Sequence, residues 1–138
     1  MRRLVKEELE AVKDEFIAYL IMQGIDAAEW KKIQSDDERR ALSIIDEFSF
    51  SYFDVMLSGI NYATKITSDV VHTIHYRSKD MHHFLYKKGV EDKIGQKKEQ
   101  YSDQRKAAIF QFLEQGYKPD KGESYKELAL LYAESRSK

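Results

Sequence analysis

Apolar side chains recur every three or four residues between Lys6 and Gln23, at Leu9, Val12, Phe16 and Leu20 with Val5 and Ile17 beside them. That spacing lines one face of an amphipathic helix, which Gly24 stops. Asp26-Ala27-Ala28-Glu29 then reads as a capping box for a short second helix, with Ile25 placed to staple and bury Trp30. The same device at Ser35-Asp36-Asp37-Glu38 opens a long third helix. Its stripe of Ala41, Ile45, Phe48, Tyr52 and Val55 is widened by Ile44, Phe50, Phe53, Met56 and Leu57. So broad a face predicts a helix that is largely buried or meets a partner.

After Gly59 the period falls to two. Ile60 to Thr67, Val70 to Tyr76 and Met81 to Lys88 are rich in β-branched and aromatic residues, with Ser78-Lys79 as a tight connection. They predict an antiparallel meander of two or three strands. Gly89 to Ser102 is polar and reads as a connecting loop, or as a helix toward its end. Ala108, Ile109, Phe112 and Leu113 mark a fourth helix that Gly116 ends, with Tyr117 and Pro119 beyond it. Ser124-Tyr125-Lys126-Glu127 caps a last helix that buries Leu128, Leu131 and Tyr132. The expected fold is a single α+β domain over residues 1–138, with three N-terminal helices, the meander, and two C-terminal helices on one sheet face.

Composition narrows the chemistry. The 138 residues hold no cysteine, which removes disulfides, thiolate metal ligands and cysteine nucleophiles and suits a reducing, cytoplasmic setting. No run approaches the ~20 apolar residues that span a bilayer. Basic and acidic residues nearly cancel overall but are unevenly placed. There are eight basic against thirteen acidic over residues 1–60, ten against six over 61–106, and five against five over 107–138. The basic middle, with Lys87, Lys88, Lys93, Lys97, Lys98, Arg105 and Lys106 around Tyr86 and Tyr101, suggests nucleic-acid binding. Glu91, Asp92, Glu99 and Asp103 interrupt it, and a solvated face explains it more simply.

The opening Arg2-Arg3-Leu4-x-Lys6-Glu7-Glu8-Leu9-Glu10, followed by Glu15-Phe16-Ile17-x-x-Leu20 and Gly24-Ile25-Asp26-Ala27-x-Glu29-Trp30, resembles a family of short, functionally uncharacterised Bacteroidota proteins. The resemblance implies an α+β domain in a bacterial cytoplasm and transfers no catalytic residue. No Gly-x-Ser-x-Gly elbow or phosphate-binding loop is present.

The chemical oddity is that all four histidines, His72, His75, His82 and His83, fall within twelve residues on two paired strands. If Ser78-Lys79 is a two-residue loop, partners sum to 157, which sets His75 opposite His82 with Asp80 on the same face. Two imidazoles and a carboxylate can ligate a divalent metal, making His75, His82 and Asp80 the candidate site of a metal-dependent enzyme or sensor. His72 and His83 would form a diagonal pair on the other face. The simpler reading is that these are half-buried polar residues of a sheet, with no cofactor. The leading expectation is a non-catalytic protein-binding or scaffold module that forms a homodimer, held by the opposite charge of its halves or, where salt has no effect on it, by Tyr52, Phe53 and Met56, and with no membrane.

Overall fold

The computed structural model describes residues 1–89 and 93–136 as two compact units, Met1–Val55 and Met56–Lys138. The first unit holds α1 (Lys6–Ala11), α2 (Lys13–Met22), α3 (Ala27–Asp36) and most of α4 (Glu38–Ser58), whose last residues belong to the second. The expected first helix is therefore two. At Val12 the backbone leaves helical geometry (φ −113°, ψ 31°) and its N–H is shared between the carbonyls of Glu8 and Leu9. Gly24, at φ +77°, closes α2 as expected, the Ile25 N–H reaching back to the Leu20 carbonyl at 2.9 Å in a Schellman pattern.

Asp26 caps α3, its carboxylate accepting from the Glu29 amide at 2.8 Å. Trp30 is only half-buried; its ring meets the edge of Phe16 at 5.3 Å. Ser35 does not open α4. It lies in the last turn of α3, its hydroxyl donating to the Lys32 carbonyl, and Asp37 caps α4 by accepting from the Arg40 amide at 3.1 Å. The buried stripe of α4 runs through Ala41, Ile44, Phe48, Phe53 and Leu57, while Phe50 is 62% exposed. Phe53, expected at a dimer contact, is buried against Tyr52. The segment before α1 is tied to α4 by the Leu4 amide donating to Ser49 Oγ at 2.9 Å and by an Arg3–Asp46 ion pair.

The second unit is built on a five-stranded antiparallel sheet, not a two- or three-stranded meander. Strands β1 (Tyr62–Ile66), β2 (Val70–Tyr76), β3 (Asp80–Lys87), β4 (Lys93–Gln100) and β5 (Lys118–Asp120) lie in the order β4-β3-β2-β1-β5. β4 occupies much of the stretch expected to be loop or helix, of which residues 90–92 lie outside the described set. Its sequence, Lys-Ile-Gly-Gln-Lys-Lys-Glu-Gln, hides it because a strand at the sheet's margin needs little apolar alternation.

Two helices complete the unit, α5 (Arg105–Glu114) and α6 (Glu123–Arg136), and they cover opposite faces instead of one. Phe112 of α5 meets Tyr76 and His83; Tyr125 and Tyr132 of α6 meet Phe84, whose side chain points the other way. The reason is β5. After Gly116 (φ +97°) ends α5, three residues join the sheet beside β1 and return the chain on the far side. Ser124 does not cap α6, because Gly122 precedes the helix and its carbonyl accepts the first helical bond, from Lys126. Gly122 has φ +89°, and a Cβ there would stand 2.9 Å from the Tyr62 ring, so no other residue fits. Arg105 ties the sheet's end by donating to the carbonyls of Ile60 and Tyr76.

Candidate functional site

The two-residue loop holds. Arg77 donates its amide to the Asp80 carbonyl at 2.9 Å, and every β2–β3 pair sums to 157, so His75 faces His82. Asp80 lies on that face, but its carboxylate is paired with Arg77 at 2.6 and 2.7 Å. The Arg77 guanidinium holds that carboxyl below its ordinary range. His82 has both ring nitrogens engaged, Nδ1 with the Tyr125 hydroxyl at 2.6 Å and Nε2 with Gln96 Oε1 at 2.7 Å. Gln96 offers an acceptor, so Nε2 carries the proton and Nδ1 accepts from the tyrosine. His75 stacks on Tyr62 at 4.4 Å, and partial burial, then the nearby Arg77 and His82, lowers its pKa. Among the described residues no group of three or more His, Asp or Glu side chains is gathered as metal ligands.

The opposite face carries the second pair as the register requires. His72 Nε2 and His83 Nδ1 are 2.9 Å apart, and the Tyr117 hydroxyl bonds His72 Nδ1. Burial, helped by His83 and Lys97, pushes His72 down to about 4. His83 is 6% exposed and its pKa is also lowered by burial. Its Nε2 has no hydrogen-bond partner among the described residues, the nearest carboxylate oxygen being Glu99 Oε1 at 3.8 Å. A small pocket of about 410 Å³ opens there between the sheet and Phe112.

The basic run is divided by strand alternation. Lys87, Lys93 and Lys97 share one face and Lys98 the other; Lys97 pairs with Glu99 at 2.8 Å, and Arg105 is committed to backbone carbonyls.

A larger hollow lies wholly in the first unit. A groove of about 1050 Å³ is lined by the apolar Leu9, Phe16, Ile17, Leu20 and Trp30 among others. Ile17 is 43% and Ile21 66% exposed along it. Its charged lining comprises Arg3, Lys6, Lys13 and Lys31 against Glu10 and Asp26. Arg3 is paired with Asp46 and Asp26 caps α3, leaving three lysines against one carboxylate.

Sequence reasoning located the histidines but not their partners Tyr117, Tyr125 and Glu99, which are distant in the chain and leave no local signal. The groove was missed because its apolar residues read as ordinary core faces. Among the described residues no helix is long and apolar enough to cross a membrane. No solved structure and no protein of curated function matches the chain. Residues 1–93 match one family model, spanning the groove and all four histidines and stopping short of Glu99, Tyr117 and Tyr125. With two thirds of its length matched, the chain belongs to the family of unknown function DUF6495.

Proposed function

We propose that the protein is a non-catalytic binding module of the bacterial cytoplasm whose N-terminal unit receives an apolar segment of a partner protein, flanked by acidic residues. The observation that carries this is the 1050 Å³ apolar groove with Lys6, Lys13 and Lys31 at its margin. Apolar lining supplies affinity for the face of an amphipathic helix, and the lysines select acidic flanks and speed encounter. An apolar patch of this extent is uncommon on a surface without a binding role.

Trp30, the only tryptophan, lines the groove and reports on it. A synthetic helix with leucines at i, i+3, i+4 and i+7 and glutamates elsewhere is expected to shift its emission saturably. The same peptide with lysines for glutamates should bind more weakly, and Ile17→Asp should weaken binding about tenfold, roughly 1.4 kcal/mol. Equal binding of both peptides, or indifference to Ile17→Asp, rejects the reading. Self-association is a second expectation, supported by the exposed Phe50 and Ile21 of the same unit. Light scattering at micromolar concentration that returns the mass of one chain removes it.

A further inference from the structure

The chain Tyr117–His72–His83 has a direction. A neutral tyrosine donates to His72 Nδ1, so His72 carries its proton on Nε2 and donates to His83 Nδ1. His83 is then left with its proton on Nε2. The reverse direction would set the Nε2 lone pair against the Glu99 carboxylate, lone pair to anion, which is repulsive. Three side chains from β2, β3 and the segment before β5 thus hold one buried N–H donor in place on a side chain, 6% exposed, that lines the pocket.

At 3.8 Å the His83 donor and the Glu99 acceptor are too far apart to bond each other well, and near enough for one molecule to bond both. Such a molecule needs an acceptor beside a donor. Lys97 neutralises Glu99 at 2.8 Å, and both histidines are neutral at pH 7, so the site carries no net charge. The remaining walls are Leu85, Phe112, Gly95 and Gln96. Gly95 sits opposite Leu85, and a Cβ on it would meet nothing within 4 Å, so bare strand backbone and an aromatic ring border open space. A flat body fits there, and about 410 Å³ is within the range of small-molecule sites.

We propose that the pocket formed by His72, His83, Glu99, Gly95 and Phe112 is a binding site for a small neutral molecule with a flat ring and an amide edge, a lactam or carboxamide. Its carbonyl oxygen accepts from His83 Nε2 and its N–H donates to Glu99. Tyr117 is a positioning residue that fixes the tautomer through His72. The site is independent of the groove reading above.

The probe is 2-pyridone, with N-methyl-2-pyridone as the control that keeps the ring and carbonyl but has no N–H. NMR titration of the whole chain should show saturable shifts at His83, Gly95 and Phe112 with 2-pyridone, and about tenfold weaker binding of the N-methyl form. Gly95→Leu fills the space and should abolish the shifts, and Glu99→Ala should weaken them independently. Tyr117→Phe should move the His83 ring ¹⁵N signals away from the pattern of an Nε2-protonated tautomer and weaken binding severalfold. Equal affinity for the two pyridones, or shifts that survive Gly95→Leu, overturn the proposal. So does the absence of any response to 2-pyridone, which would leave the pocket to water.

Discussion

His82 and His83 are neighbours in one strand and have opposite fates. His82 turns toward α6 and has both nitrogens answered, by Tyr125 and Gln96. His83 turns toward α5, is more deeply buried, and keeps one nitrogen without a protein partner among the described residues. A buried polar atom left unmatched costs roughly 1–3 kcal/mol, whereas a matched pair contributes about 1. The His82 face is thus finished as a packing surface, and the His83 face keeps the unanswered nitrogen on which the proposed ligand site rests.

The sharpest way to break this contrast is to remove the tyrosine from each face. Tyr125 meets the rings of Tyr62, His75, His82 and Phe84 at 5.1–5.6 Å, and Tyr125→Ala should cost about 3 kcal/mol. Tyr117 meets the rings of His72 and Phe112, at 5.2 and 5.1 Å, and Tyr117→Ala should cost about half as much. Urea midpoints decide it; the reverse order would make the His83 face the structural one.

Acid is the next probe. His72 falls from an ordinary 6.5 to about 4 in the folded chain, its surroundings being His83, Lys97, Glu99 and Tyr117. The unfolded chain takes up this proton first as pH falls. Stability from the neutral ring is therefore complete above about 6.5, and declines as pH drops from there toward 4. Allowing for partial solvent access, the loss is about 2 kcal/mol. His72→Gln should remove that part of the difference in unfolding free energy between about pH 7 and pH 4.5. An unchanged pH profile would mean that the pair is solvated.

The smallest effect belongs to the finished face. Tyr125→Phe deletes one hydrogen bond to His82 Nδ1 and keeps the ring packing, so about 1 kcal/mol is expected in a urea titration. A loss of several kcal/mol would show that the hydroxyl, not the ring, holds α6 in place.

These partners mark where sequence reading stops. The β2–β3 register was legible because a two-residue loop leaves one alignment, and the Gly24 and Gly116 helix ends were legible because a left-handed residue there is a local requirement. Ser35 misleads because Asp37 caps α4, and Ser124 because the left-handed Gly122, set by its contact with the distant Tyr62, already starts α6. β4 was unreadable, since its pairing with β3 and not its own apolar pattern makes it a strand. The division of α5 and α6 between two faces depends on three residues of β5, too few to carry a periodic signal. The candidate ligands His75, His82 and Asp80 do share one face, as the register implies, yet the competition of Arg77, Tyr125 and Gln96 for Asp80 and His82 arises only in the folded chain.

The two outermost strands share a property that bears on how the protein survives at high concentration. β4 presents Lys93, Lys97 and Lys98, and β5 is three residues long with Pro119 at its centre, where no amide hydrogen exists. Each margin is a poor template for an added strand, because lysine repels a like copy and proline interrupts the ladder. Both ends of the sheet thus carry residues that disfavour further strand pairing.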